Sequence, residues 1–279
     1  MSYKIIGDSC LDLTKELKAN PRYQMVPLTL QVDDVMVVDD ETFDQKAFIG
    51  RVKASPNCPK TACPSPEAFK EAYACDAENV YVITLSSHLS GTYNSAVLGK
   101  SLYEEEFGPK NILVIDSESA SSGELNLALS IGEWEEEGLS FEEVSRRVLA
   151  LRNAQKTYFV IDSLEPLRKN GRLTGLQAFF ATALNIKPVM GAEQGVILKL
   201  DQARGVSKAF AKMCEIAVRQ GKDTTTKRVV IAHCNCPDRA QFVKEELERR
   251  AAFREIVTTE TAGVATVYAG DGGIVLVVG

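Results

Sequence analysis

The stretch Ser86-Ser87-His88-Leu89-Ser90-Gly91-Thr92-Tyr93-Asn94-Ser95 gathers hydroxyl groups around one glycine, directly after the apolar run Val80–Leu85. An apolar run of that length reads as a buried parallel strand and the residues from Asn94 to Leu102 as helix, so the hydroxyls sit where a strand ends and a helix begins. Backbone N–H groups at a helix N-terminus lack intrahelical partners and carry the positive end of the dipole, which attracts carboxylate or phosphate. Ser90 and Thr92 add neutral donors, and Gly91 allows a close backbone approach. The same residues also suit capping of the helix, and on this stretch alone both uses stand open.

A second segment, Lys60-Thr61-Ala62-Cys63-Pro64-Ser65-Pro66-Glu67-Ala68-Phe69, shifts the balance. Ser65 is a natural N-cap with Pro66 at the first helical position, which leaves Thr61 upstream and free to point elsewhere. Together the two segments resemble the DegV family, whose members carry T-S-x-P-S followed by S-S-x-L-S-G-T-Y at about this separation. Here the strings are T-A-C-P-S and S-S-H-L-S-G-T-Y. The resemblance runs through the chain: Asp8-Ser9 with Asp12-Leu13, Val26-Pro27-Leu28, Val114-Ile115-Asp116-Ser117, Ile161 to Leu167 with Asn170-Gly171-Arg172-Leu173, Asn185 to Val189, then Gly195 and Arg204.

The resemblance implies a carrier and not a conventional enzyme: one long-chain fatty acid in an apolar tunnel, its carboxylate at the hydroxyl loops, and no cofactor. In bacteria that import fatty acids, such a carrier (FakB) presents the carboxylate to a separate ATP-dependent fatty acid kinase. By motif, Thr61 and Ser90 are the implied carboxylate donors, with Gly91 and Thr92 beside them, while Arg172 and Arg204 face the phosphate or the kinase. Many relatives carry H-x-G-P-G before the last strand, its histidine reaching the carboxylate. This chain has Tyr268-Ala269-Gly270-Asp271-Gly272 there. The glycines, Gly270 among them, are kept; Tyr268 donates one O–H but supplies no imidazolium charge, and Asp271 adds a negative charge where phosphate would arrive. From the family's architecture, Leu176, Phe179, Phe180 and Ile186 are candidates for the tunnel wall, although each also suits simple core.

The remaining chemistry-bearing residues point nowhere else. His88 and His233 are the only histidines, and no G-x-S-x-G elbow accompanies them, which argues against a Ser/His/Asp hydrolase. His233-Cys234-Asn235-Cys236 offers soft ligands without the second pair that a tetrahedral zinc site needs, so no metal is expected. Seven cysteines with no signal-peptide core after Met1-Ser2-Tyr3-Lys4 read as reduced thiols in a cytoplasmic protein. Thirty-two basic against 38 acidic residues argue against a nucleic-acid surface, and no apolar run reaches the roughly 18 residues of a membrane span. Arg51, Lys53 and Lys60 form a basic patch that suits a solvated surface. The competing class is an enzyme or kinase subunit of the dihydroxyacetone-kinase-like architecture; those hold substrate through a histidine, and none here is well placed.

Strands alternate with amphipathic helices, which predicts an α/β fold with a parallel sheet in the first half. Strands are expected at Tyr3–Gly7, Val80–Leu85, Ile112–Ile115 and Tyr158–Ile161, and a helix over Phe141–Arg152. Val26–Val32 and Val35–Val38 flank Asp33-Asp34 as a hairpin, followed by a short helix within Asp39–Phe48. The run Glu133–Glu137 reads as a solvated helix face ending at Gly138. From about Ser163 the order of elements becomes α+β: a turn over Leu167–Arg172, an apolar helix over Gly175–Leu184, strands at Ile186–Met190, Val196–Leu200, Arg228–Ala232 and Ile274–Val278, and helices Val206–Gln220 and Arg239–Arg250 on one face. Two units follow, 1–160 and 161–279, with a ligand tunnel expected between them.

Overall fold

Runs of β-branched and aromatic residues punctuated by caps and glycines set the elements in the computed structural model, which describes residues 2–173 and 185–279. In chain order these are β1 Tyr3–Asp8, α1 Lys15–Lys18, β2 Tyr23–Val26, β3 Thr29–Val32, β4 Val35–Val38, α2 Gln45–Ala54, β5 Lys60–Ala62 and α3 Pro66–Tyr73. There follow β6 Asn79–Thr84, α4 Thr92–Phe107, β7 Asn111–Asp116, α5 Ser122–Glu136, α6 Phe141–Ala154, β8 Lys156–Val160 and α7 Glu165–Lys169. The last part comprises β9 Ile186–Glu193, β10 Val196–Arg204, α8 Val206–Gly221, β11 Arg228–His233, α9 Pro237–Arg250, β12 Glu255–Glu260, α10 Gly263–Ala269 and β13 Ile274–Val278.

The strands form a parallel sheet in the order β2-β1-β6-β7, a mixed sheet in the order β10-β9-β8-β13-β11-β12, and a small antiparallel sheet β4-β3-β5. α5 is buried along almost its whole length because it lies between the two large sheets, its Leu127 and Ile131 in the core of the first and its neighbours against β11 and β13. A helix covered on all sides can be apolar all round, which is why Ser122–Trp134 shows so little amphipathic contrast. α8 and α9 cover one face of the six-stranded sheet together, as the sequence suggests.

Four expectations need correction. Val26 ends β2 in the parallel sheet, and the hairpin begins only at Thr29: Pro27 has no N–H for a ladder, and Leu28 N–H instead donates to Ser9 Oγ at 3.0 Å. The helix after the hairpin starts later, at Gln45, because the Asp44 carboxylate caps it through Ala47 N–H. The basic Leu167–Arg172 stretch overlaps a five-residue helix, α7. Finally, β8 pairs with β13 and β9, so hydrogen bonding joins it to the six-stranded sheet, and a division at 160/161 cuts that sheet. We therefore place the start of the second unit ahead of Lys156. The helix expected over 175–184 lies outside the described residues.

Buried carboxylates tie loops together across the first half. Asp8 accepts from Cys10 N–H and Leu85 N–H, both at 2.8 Å, so the ends of β1 and β6 share one carboxylate. Burial pushes the Asp8 carboxyl up to about 7, and Asp12 likewise. A carboxyl raised in this way makes the folded chain bind protons more tightly than the unfolded one. The stability it contributes is fully present below about pH 4 and is lost as pH rises to about 7.

Two tests follow from this packing. In chemical denaturation between pH 4.5 and 7.5, Asp8→Asn, which mimics the protonated group, should gain on wild type by about 1–4 kcal/mol as pH rises; a difference independent of pH would contradict the assignment. At Gly99 on α4, an added Cβ would lie 2.6 Å from Pro66 O and 3.1 Å from Lys70 N. Alanine favours a helix over glycine by about 1 kcal/mol, but backbone atoms cannot step aside, and overpacking costs about 1–3 kcal/mol. Gly99→Ala should therefore unfold at lower denaturant concentration, and a stabilised variant would show that α3 and α4 have room between them.

Candidate functional site

The loops at the C-terminal ends of β1, β6 and β7 face one side of the six-stranded sheet across a cavity of about 860 Å³ of unfilled space, its open mouth included. Pockets of that size, at the carboxyl ends of parallel strands, are where α/β sheets hold small molecules. The two-residue period of β8 builds one wall: Tyr158 and Val160 pack against α8, while Thr157, Phe159 and Ile161 turn to the cavity. Val275 of β13 and Ile197 of β10 extend that wall. Leu85, Leu89 and Val264 face it, so the lining is overwhelmingly apolar.

Polar groups collect where the two hydroxyl loops meet the C-terminal tail. β5 pairs with β3 at Leu30↔Thr61, and this register turns Thr61 inward while Lys60 and Ala62 stay exposed. Thr61 Oγ1 lies 3.0 Å from the Tyr268 hydroxyl, which α10 delivers from the other end of the chain. Arg172 Nε donates to Leu89 O at 2.9 Å, and its guanidinium stands 6.0 Å from the centre of the Tyr268 ring. Ser90, next in chain to Leu89, has its Oγ 2.9 Å from Thr92 Oγ1. Thr61, Ser90, Arg172 and Tyr268 all line the one cavity.

The other site candidates stand further off. Gly91 is the N-cap of α4, without a side-chain cap, and a Cβ there would touch Cys63 Sγ at 3.4 Å. Thr92 is fully buried and faces the cavity only through Ser90. Gly270 ends α10 at φ 65°, a left-handed conformation that glycine takes without strain, and does not line the cavity. Arg204 is exposed at the end of β10, opposite Ile186, and neither residue is part of the lining. Leu176, Phe179 and Phe180 lie outside the described residues. Asp271 does not face the cavity with an isolated charge: Lys53 Nζ lies 2.6 Å from it and Asn235 Nδ2 2.9 Å, and these partners hold its carboxyl below the ordinary range.

Sequence reasoning missed the floor of the cavity. Cys10 and Ser121 line it, with Asp8 and Glu124 behind them; one ligand atom each of Asp8, Cys10 and Glu124 lie within 4.8 Å of one another. Burial, with the Asp8 and Asp12 charges nearby, drives the Glu124 carboxyl and the Cys10 thiol well above their ordinary ranges, which keeps both protonated near neutral pH. The strand that carries Phe159 and Ile161 was visible as an apolar run, but not which of its residues face the cavity; the contribution of α10 was not visible, because its small apolar residues carry no periodic signal. Neither histidine faces the cavity. His233 is buried on β11, where desolvation lowers its imidazole, and its Nδ1 accepts from Cys236 N–H. Cys234 and Cys236 point at separate partners, Thr266 Oγ1 and Gly273 O.

Comparison with known proteins agrees with this geometry. A family model described as "Uncharacterised protein, DegV family" matches residues 2–278. A DegV domain-containing protein of Streptococcus pyogenes serotype M1 is 36% identical over 284 residues, covering 99% of both chains. Among solved structures, a DegV family protein of Ruminococcus gnavus refined with vaccenic acid superposes with a TM-score of 0.97 at 47% identity, again over 99% of each chain. The Streptococcus pneumoniae Fatty Acid Kinase (Fak) B3 protein, loaded with linoleic acid, superposes with a TM-score of 0.91 at 33% identity over 99% of each chain. With the family model matching residues 2–278 and a relative 36% identical over 99% of both chains, the protein belongs to the DegV family.

Proposed function

We propose that this chain binds one long-chain fatty acid, with its alkyl chain in the apolar cavity and its carboxylate at Thr61, Ser90 and Tyr268, and presents it to a separate fatty acid kinase. The observation that carries the reading is the segregation of polarity: donors gather around Thr61, Tyr268 and Arg172 while the wall from Phe159 to Val275 is apolar. Each buried CH₂ gains roughly 0.8 kcal/mol, so about fourteen of them supply on the order of 11 kcal/mol before ordering costs. A carboxylate taken from water without donors would erase much of that gain, and hydroxyl groups with a nearby guanidinium prevent the loss. The Ruminococcus and Streptococcus pneumoniae structures, which hold vaccenic and linoleic acid, support the same ligand class.

On this reading the protein is a carrier and performs no chemistry of its own. Its enzymatic alternative requires a histidine to hold a hydroxylated substrate, and no histidine lines the cavity among the described residues. Arg172 keeps a positive charge beside Tyr268, which compensates for the imidazole that many relatives place there. Arg204, exposed on β10, is the better placed of the two arginines to meet a partner protein.

Native mass spectrometry of the recombinant protein should show one long-chain fatty acid per chain; a bare polypeptide mass that added oleate leaves unchanged would defeat the proposal. Replacing Thr61 and Ser90 together with alanine should cost about 1–3 kcal/mol per donor, so oleate affinity falls well beyond tenfold while oleyl alcohol changes less. Equal losses would mean that the hydroxyls shape the loops only. Tyr268→His should make oleate binding tighten toward acidic pH, where imidazolium forms, and an unchanged pH profile would remove residue 268 from the head group.

A further inference from the structure

α10 carries Tyr268 at its C-terminal end, and its N-terminal end is held entirely by other parts of the chain. The helix has no side-chain cap of its own, because its N-cap residue is Ala262. Its first N–H groups go to two buried carboxylates from the opposite end of the sequence: Ala262 N–H donates to Asp12 Oδ1 at 2.5 Å, Gly263 N–H to Asp39 Oδ1 at 2.7 Å, and Val264 N–H to Asp39 Oδ2 at 2.8 Å. Residue 263 has to be glycine for this seating, since a Cβ would lie 2.5 Å from Asp39 Oδ1 and 2.6 Å from Leu30 Cδ1. Gln45 of α2 adds a third brace, its Nε2 donating to Thr261 O at 2.8 Å and to Thr266 Oγ1 at 3.2 Å.

Asp39 is also joined to the other half of the head-group pair. It follows β4, its own N–H donates to Leu28 O at 3.0 Å, and β4 pairs with β3, which in turn pairs with β5 at Leu30↔Thr61. The small sheet therefore fixes Thr61 directly and, through the Asp39 carboxylate, fixes the helix that brings Tyr268 to within 3.0 Å of it. We propose that Asp39, assisted by Asp12, is a positioning residue for the ligand's head group: it locks α10 to the β3–β5 sheet and so sets the spacing between Thr61 and Tyr268. Nothing in the sequence marks this role, because the Asp39-Asp40-Glu41 run reads as an ordinary acidic loop. A carboxylate holding two successive helix N–H groups is stronger than a neutral cap, so its loss displaces α10 more than removal of an ordinary serine cap would.

The inference rests on the fatty-acid reading, and a double-mutant cycle tests it separately. Oleate and oleyl alcohol binding would be measured for wild type, Asp39→Ala, Tyr268→Phe and the double variant, with thermal unfolding of each to confirm a folded chain. Asp39→Ala should weaken oleate about tenfold more than oleyl alcohol, and in the Tyr268→Phe background its effect on oleate should shrink to its effect on the alcohol. A merely structural aspartate would weaken both ligands alike and act independently of Tyr268, which would overturn the proposal. If Asp39→Ala does not fold, Asp39→Asn, which retains one acceptor oxygen, takes its place in the cycle with a smaller expected loss of the same pattern. A wild-type chain that binds neither ligand would refute the fatty-acid reading instead.

Discussion

A few O–H and N–H donors have to stay aimed into a cavity that is otherwise apolar, and this constraint organises the rest of the molecule. Hydroxyls facing apolar space tend to turn away toward any backbone partner, so each must be held by something stiffer than its own rotamer. Thr61 is held by the register of β5 on β3, and Arg172 by its bond to Leu89 O. Tyr268 is held by α10, a seven-residue helix too short to be stable without tertiary support. The two large sheets provide the enclosure, α5 fills the space between them, and the small sheet with its buried carboxylates sets the mouth.

That arrangement explains why so many ionisable groups are buried on one side of the cavity. Asp8, Asp12, Asp39 and Glu124 are all nearly or fully inaccessible, at a desolvation cost that pushes their carboxyls upward. Asp8, Asp12 and Asp39 accept from backbone N–H groups of loops that end β1, β6 and β12, positions where a regular ladder has already stopped, and Glu124 accepts from Ser121 N–H at the start of α5. A buried carboxylate offers two oxygens, each able to hold an N–H group through a charge-assisted bond, and so joins two elements firmly. Specific loop placement is obtained at some expense in stability, a balance common around binding sites.

What could be read from the sequence was local. Ser65 caps α3 with Pro66 in its first turn as expected, three of the four parallel strands (β1, β6 and β7) fall within a residue or two of their apolar runs, and the Asp33-Asp34 turn joins β3 to β4. The hydroxyl loops stand out because their residues are consecutive. The Thr61–Tyr268 contact joins residues 207 positions apart, and no propensity or spacing carries that information. The same holds for the Asp39–α10 brace. β8 shows the converse limit: its apolar run identifies a strand but does not say which sheet it joins, and pairing with β13 decided that. Asp271 looks like a charge opposing phosphate until Lys53, distant in sequence, is found beside it.

The central claim is that a carboxylate, and not merely an alkyl chain, is received at Thr61, Ser90 and Tyr268. Carbon-13 NMR of oleate labelled at its carboxyl carbon tests this most directly, because the resonance reports only the head group. The account predicts a single bound resonance at one equivalent, distinct from free oleate, that moves on Thr61→Ala and on Tyr268→Phe but not on substitution of the exposed Arg204. A bound resonance indifferent to Thr61 and Tyr268, or none distinct from free oleate, would contradict it.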